Sequence, residues 1–454
     1  MPYKLIEGDC SYCNLCLRCE VAERARYGSE AVFAYRESKG KAFGEIQSGA
    51  RIYRDGIPKF KSLDDVQIVN SLFTDGRQKK REELEREPLY VDVSTEASVG
   101  GFRVRIPVVI AAMGSTDIAN RRGVFLGEGA ARAGIVYVIG ENVLNMRGYD
   151  ERVRTFEPTL KERVMGFLEN ADEYGGVVIQ QNVEDTAAGV WDRLFHDPDL
   201  EEYFERGLIG FEAKGGQGAK PGMGGEVQVD KALALLLADK GYYFPVNPKE
   251  VDQPKYQRHS VPGTMTAESL RETVEKAKEK YNKRYRVPIW FKTGPYKDID
   301  EQIDVVSSAG ADAITIDGTE GGTGMSPICT MDNIGWPTLK CLQAISTRSR
   351  ASRGMSLIIA GGIRYGNHIV KSLALGANGV AMGRAFIISA EAGDKAFEGN
   401  GARGIENFVQ ADLVDVQQLT SSLGKYDISQ LALDDVEALD RDVANMFGIR
   451  YLYD

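Results

Sequence analysis

The residues with the clearest chemical purpose lie in one loop, KGGQGAKPGMGG, running from Lys214 to Gly225. Six of its twelve residues are glycine, so the backbone can turn tightly and come close to a ligand. Lys214, Gln217 and Lys220 ride on it and supply positive charge and an amide, donors suited to a carboxylate or a phosphate. The alternative is a flexible linker. Linkers rarely carry two lysines and a glutamine straight after an apolar run such as Gly207 to Ala213. A second chemical group stands near the N-terminus, where Cys10, Cys13, Cys16 and Cys19 form C-x2-C-x2-C-x2-C. Such steps can wrap thiolates around a compact iron–sulfur cluster, although the ferredoxin run has a longer last gap and a following proline. Structural zinc usually needs two pairs separated by a longer loop; zinc and free thiols are the weaker alternatives.

Composition narrows the classes. With 454 residues the chain can form one large domain with appendages, or two domains. A net charge of -10, with no basic patch interleaved with aromatics, argues against nucleic-acid binding. The longest apolar runs, such as Ala232 to Ala238, are too short to span a membrane. Acids and cysteines occupy the N-terminus where a secretion signal needs an apolar core, which predicts a cytoplasmic protein. In that compartment a metal centre is the better use of four clustered cysteines than disulfides.

Eight strand-like runs carry the candidate site residues. They are PVVIAA at 107, IVYVIG at 135, GVVIQ at 176, LIGFEA at 208, VPIWF at 287, AITID at 313, SLIIAGG at 356 and GVAMG at 379. Several are continuously apolar, as parallel strands covered on both faces are. Helical segments separate them. Leu270, Val274, Ala277 and Tyr281 share one face after Thr266, and Ile299, Ile303 and Val306 repeat the pattern before Gly310. Eight such units predict an α/β fold, a (β/α)8 TIM barrel with a long excursion after strand four; a doubly wound sheet is the runner-up. The expected order is a Cys-rich segment over 1–60, a linker and hairpin over 61–106, the barrel over 107–390 and a helical extension over 391–454. The hairpin, Leu89 to Ile106 split at Gly100-Gly101, is placed to close the barrel bottom, and Arg77 to Glu87 reads as a solvated helix. Tail helices are expected around Phe408 to Leu423 and Asp434 to Phe447, packed on the barrel or on a partner.

Active sites of such barrels sit at the C-terminal strand ends. Strand one ends in Ala112, Met113 and Gly114, small residues that admit a flat ring. Strand two delivers Glu141, strand three Gln180, strand four Lys214, strand five Lys292, and strand six Asp317 followed by Gly322 and Thr323. Strands seven and eight end in Gly361, Gly362 and Arg364, then Gly383 and Arg384. Glycine-freed N–H groups, a helix N-terminus and arginines are what a phosphate needs, so a phosphate-bearing cofactor is expected there.

These motifs resemble the FMN-binding synthase domain of the glutamate synthase family. QGAKPGMGG resembles its QGAKPGxGG loop, AAMGS its first strand end, IGEN at Ile139 to Asn142 its TGEGG-like sequence, and WFK ending at Lys292 its VKL. DGTEGGTGMSP, Asp317 to Pro327, matches DGxxGGTGxSP, and IIAGGIRYG with ALGANGVAMG matches its phosphate-binding strands. The resemblance covers about Pro107 to Ser389. It implies FMN as cofactor, with Lys292 facing the electron-rich edge of the flavin, and Lys214, Gln217 and Lys220 holding FMN and a dicarboxylate substrate. Glu141 keeps the family's glutamate, and Arg258, in RHSVPG, is placed to bind a substrate carboxylate; a surface arginine is the alternative. Three departures stand out. NVEDT, Asn182 to Thr186, replaces ASGRFG, the SPPPHHD after RHSTPG is missing, and the cluster cysteines after strand eight are absent. The N-terminal cysteines take their place in shorter archaeal-type enzymes, with a 4Fe–4S or similar cluster implied.

Cys329 and Cys341 read as packing residues, and His196 and His368 as surface or helix residues. His259 lies in a site loop without a catalytic assignment. The expected activity is that of an oxidoreductase subunit reducing the imine of 2-oxoglutarate and ammonia to glutamate, with electrons through the iron–sulfur centre. An N-methylglutamate synthase type, exchanging methylamine for the amino group of glutamate, and a flavin and cluster electron-transfer subunit are the alternatives. Separate amidotransferase and electron-donor subunits are the expected partners, in a homo- or hetero-oligomer.

Overall fold

The computed structural model describes residues 24–26, 28, 53–54, 57–58, 60–153, 157–215, 225–260, 264–321, 333–349 and 354–454. Eight parallel strands close into a barrel: β1 Val108–Met113, β2 Val136–Ile139, β3 Gly176–Gln181, β4 Ile209–Lys214, β5 Ile289–Thr293, β6 Ala313–Asp317, β7 Ser356–Ala360 and β8 Gly379–Met382. Each is one of the eight apolar runs, and β8 pairs with β1 to complete the ring, so the (β/α)8 expectation holds and the doubly wound sheet does not. Side chains alternate across each strand. One set faces the surrounding helices, where Ile110, Tyr137, Ile179, Phe211, Phe291 and Ile314 join a core with Leu126, Phe167, Leu342 and Phe386. The other set fills the barrel, where Val109, Val138, Val178, Trp290, Ala313 and Ile358 pack together.

The bottom of that interior is plugged. Strands Ala97–Val99 and Phe102–Val104 form an antiparallel hairpin whose Val99, Phe102 and Val104 belong to the interior cluster. Trp290 on β5 donates from Nε1 to the Gly100 carbonyl at the hairpin turn, 2.7 Å away. The hairpin is shorter than the span Leu89 to Ile106: Tyr90–Asp92 is a 3-10 turn, whose entry Asp92 caps through the Leu89 N–H at 2.7 Å. With apolar side chains below, the polar residues of the same inward rows are left for the top.

The helices follow the periodicity read from the sequence. Helix Ala267–Tyr281 buries Leu270, Val274, Ala277 and Tyr281, and Asp75–Leu84 buries nothing. After β4 the excursion makes an antiparallel pair, Gly225–Asp230 with Lys255–Ser260, and helix Lys231–Asp239 between them. Its small core of Val229, Ala234, Leu237, Tyr242, Phe244 and Tyr256 takes in Met146 from the segment after β2. The excursion is thereby seated on the mouth of the barrel.

The tail differs from expectation in one place. Helix Gly401–Ser422 packs on helices Asp117–Ala133 and Arg384–Ala396, but the second helix begins only at Arg441. Residues 436–438 instead form a strand paired with Val66–Ile68, so the tail and the linker before the barrel hold each other. Of the two histidines expected at the surface or in a helix, His368 lies in helix Gly366–Ala374, buried, with Nε2 3.3 Å from Asp64, and His196 is exposed. Cys341 is fully buried, as a packing residue should be.

Candidate active site at the barrel mouth

The inward row of β4 places Glu212 and Lys214 on one face, two residues apart, and neighbouring strands supply their partners. Lys214 Nζ lies 2.7 Å from Glu141 at the end of β2. Lys292 Nζ lies 3.0 Å from Asp317 at the end of β6. Glu212, beneath them, accepts from Gln180 Nε2 at 2.5 Å and from Thr315 Oγ1 at 3.1 Å. Two cations and three carboxyl groups therefore share the upper barrel, nearly out of solvent.

Burial dominates their electrostatics, because water no longer screens the charges. Desolvation alone would raise the Glu141 carboxyl, but Lys214, through both charge and hydrogen bond, brings it down to about 2. The Lys292 ammonium is disfavoured by burial, yet Asp317 and Glu212 together lift it above its ordinary value. Glu212 goes the other way: burial pushes its carboxyl up against the pull of Lys292. The mouth thus favours the charged form of Lys292 and the protonated form of the acid below it.

The opposite side of the mouth is made of backbone. After β7, Gly361 and Gly362 adopt φ +118° and +69°, and a Cβ on Gly361 would stand 2.3 Å from Thr338 Oγ1. Only glycine holds that turn without strain. Thr338 itself is tied by its N–H and hydroxyl to Glu320 Oε2, each 2.7 Å, and burial pushes the Glu320 carboxyl up. Gly383 precedes helix Arg384–Ala396, so its first N–H groups and Arg384 open toward the same end. Arg364 lies over the ring of Tyr365, 5.6 Å from its centroid, and its buried Nε has no hydrogen-bond partner among the described residues. An unsatisfied buried guanidinium N–H beside a glycine turn fits an anionic group such as a phosphate.

The first strand end is held by a residue that sequence reasoning missed. Arg163, fully buried, donates to the Met113 and Gly114 carbonyls at 3.0 and 3.1 Å and to Tyr137 at 2.8 Å. It sits on the buried face of helix Leu160–Leu168 among Leu160, Val164 and Phe167, and an arginine on an apolar stripe was the available signal. Glu212 was missed in the same way, although a glutamate inside the apolar run IGFEA, two residues before Lys214, marks an inward carboxyl.

Of the remaining candidates, Ala112, Met113 and Gly114 line the end of β1, and Gln180 that of β3. Arg258 is fully buried on the excursion strand, 4.8 Å from the Tyr242 ring, so it is not a surface arginine. Gln217, Lys220, Gly322, Thr323, Cys329 and the cysteines at 10, 13, 16 and 19 lie outside the described residues. Among the described residues no group of three or more acidic, histidine or cysteine side chains is placed to hold a metal, and no helix is long and apolar enough to cross a membrane.

A closed (β/α)8 barrel with buried lysines and an anion cradle at its C-terminal strand ends has the build of a barrel enzyme for anionic ligands. Solved structures share the fold: (S)-mandelate dehydrogenase from Pseudomonas putida aligns over 92% of this chain and 97% of its own, at TM-score 0.52 and 16% identity. A flavocytochrome b2 variant aligns over 92% and 83%, at TM-score 0.52 and 13% identity. In sequence, the conserved region in glutamate synthase matches residues 66–393. The chain belongs to the glutamate synthase family of oxidoreductases, as the glycine loop and strand ends implied. An archaeal-type glutamate synthase [NADPH] from Dehalococcoides mccartyi is 33% identical over 192 residues, 41% of this chain and 36% of that protein. An archaeal glutamate synthase [NADPH] from Archaeoglobus fulgidus is 27% identical over 322 residues, 69% of this chain and 54% of that protein. The matched stretches thus span about a third to a half of these relatives.

Proposed function

We propose that this chain is an FMN-dependent glutamate synthase-type subunit that reduces the imine of 2-oxoglutarate and ammonia to glutamate. The observation that carries the reading is the division of the mouth into an anion cradle at β7–β8 and a buried cation pair, Lys214 and Lys292, across from it. Bound FMN would supply the hydride. Gly361, Gly362, Arg364, Gly383 and Arg384 would hold its phosphate through N–H groups and guanidinium, and Ala112 to Gly114 leave room for a planar ring. Lys292 would keep positive charge beside the electron-rich edge of that ring, a fixed charge that needs no rearrangement during the reaction. Lys214, with Gln217, Lys220 and Arg258, would bind the two carboxylates of the substrate, and Glu141 holds the Lys214 side chain in place through their ion pair. The overall step consumes 2-oxoglutarate, ammonium, two electrons and two protons, and releases glutamate and water.

Cys10, Cys13, Cys16 and Cys19 would carry the iron–sulfur cluster that delivers those electrons. Support comes from where their chain continues. Arg24 pairs with Asp412 and Asp415 at 3.0 and 2.6 Å and lies over Tyr365, next to Arg364 of the phosphate cradle. Five chain steps lead from Cys19 to Arg24, a reach of about 17 Å at most. We place the enzyme in the cytoplasm, served by separate subunits for ammonia and for the electron donor.

The test begins with the absorption spectrum of protein purified without oxygen. Flavin bands over a broad iron–sulfur shoulder, followed by glutamate formation from 2-oxoglutarate, ammonium and a chemical reductant, are the expected results. A colourless protein that takes up no FMN would end the reading. Flavin without the shoulder would move the four cysteines to zinc. Product formed from glutamate and methylamine with no reductant would assign the exchange reaction instead.

A further inference from the structure

The segment NVEDT, Asn182 to Thr186, departs from the family sequence at a place that closes on the active site. It forms a short helix, Val183–Ala187, entered through a capping box in which Asn182 Oδ1 accepts the Asp185 N–H at 2.9 Å. Asp185 Oδ2 takes the Asn182 N–H at 3.4 Å and, more closely, the N–H of Asn142 at 2.8 Å. Asn142 follows Glu141 directly and has φ +66°. Asparagine tolerates that left-handed conformation better than most residues, but it still costs energy that the surroundings offset. Here they do so from two sides, because Tyr242 of the excursion donates its hydroxyl to Asn142 Oδ1 at 2.7 Å.

A helix cap does not account for Asp185. The residue is 1% exposed, its Oδ1 has no hydrogen-bond partner among the described residues, and the neighbouring charges Glu141 and Glu184 repel it. The cap itself is Asn182, and the reciprocal bond from the Asn182 N–H is the longer of the two that Asp185 Oδ2 accepts. A carboxyl buried here is costly, and the Asn142 N–H is its closest compensating partner.

We propose that Asp185 is a positioning residue that holds Glu141 against Lys214 by fixing the Asn142 peptide. Without its carboxyl, Asn142 relaxes out of the left-handed region and the Glu141 side chain leaves Lys214. The inference rests on the reading of Glu141 and Lys214 as site residues, but its test needs no substrate. Reductive methylation of the purified holoprotein, followed by peptide mass spectrometry, reports how well each lysine is protected. Lys214 is buried and ion-paired, so it should react slowly in the native protein.

Asp185→Ala should speed Lys214 labelling about tenfold, close to the Glu141→Gln control, because it frees a buried charge-assisted hydrogen bond. Asp185→Asn keeps an oxygen for the Asn142 N–H and should stay near the native rate. The decisive variant is Asn142→Gly combined with Asp185→Ala: glycine enters the left-handed region unaided and should restore protection. Should the alanine variant not fold, Asp185→Ser, too short to reach Asn142, takes its place. Unchanged labelling in a folded Asp185 variant, or no restoration by glycine, overturns the proposal. Exposure of Lys214 in a protein that never turns over 2-oxoglutarate would sink the substrate reading and leave the positioning role intact.

Discussion

The two sides of the barrel mouth are built by different means. At β7 and β8 the cradle is mainly backbone, two glycines with positive φ and a helix start, joined by two arginines, all within 24 residues of chain from Gly361 to Arg384. Across β2 to β6 the site is side chains, Glu141 with Lys214, Lys292 with Asp317, and Glu212 with Gln180 and Thr315. The backbone side stands ready before any ligand arrives. The charged side is a balance among buried groups, in which each ion depends on its neighbour. Binding and chemistry are divided accordingly: a rigid anchor for the constant part of a cofactor, and an adjustable field where the reaction runs.

Substitutions can break that contrast, beginning with the largest effect. Lys292→Met removes the cation and leaves Asp317 unpaired above Glu212. Turnover should fall about 10²–10³-fold, and denaturant unfolding should show a loss of about 3–5 kcal/mol. Native turnover in this variant would mean that the charged side is not where the chemistry occurs. Arg364→Ala should act only on binding, weakening FMN by about 10–100-fold through a lost charge-assisted bond, read by quenching of flavin fluorescence. If FMN affinity stays native, the cradle belongs to something else.

Gly361→Ala tests the backbone side directly. With φ at +118° and Thr338 Oγ1 2.3 Å from the new Cβ, unfolding should be easier by about 1–3 kcal/mol, with slower FMN uptake. An unshifted unfolding curve would show that the turn tolerates a side chain. The smallest effect concerns pH. Burial, reinforced by Glu141 and Glu184 and resisted by the Asn142 and Asn182 N–H groups, pushes the Asp185 carboxyl up from 3.8 to about 7. Tyr242 and Arg258 face the same cluster from the excursion. Because the folded value is the higher one, the penalty is absent below the unfolded pKa, grows as pH rises, and is complete above 7. Asp185→Asn should therefore raise Tm by a few degrees at pH 8 and by almost nothing at pH 3. An equal gain at both values would assign the effect to packing.

Much of the cradle was legible in the sequence because its parts are consecutive. GGIR and GR follow short apolar runs, and a reader who places those runs as strands has placed the cradle. The charged residues were legible as types at strand ends, but their pairings were not. Arg163 and Asp185 were not picked out as site residues, since what gives them their place is a set of backbone partners far off in sequence, the Met113 and Gly114 carbonyls and the Asn142 N–H. Residues 436–438 misled for the same reason. Their amphipathic pattern suits a helix, but the partner that made them a strand, Val66–Ile68, comes from the far end of the chain.

By itself the sequence determined the alternation of strand and helix, the glycine turns and the family. Each of these rests on local periodicity, on backbone freedom at single residues, or on short motifs. Only the tertiary structure decided which charges are buried, which are paired and which way each is pushed. Those properties arise when the barrel closes, water leaves, and residues as distant as Glu141 and Lys214 come within 2.7 Å.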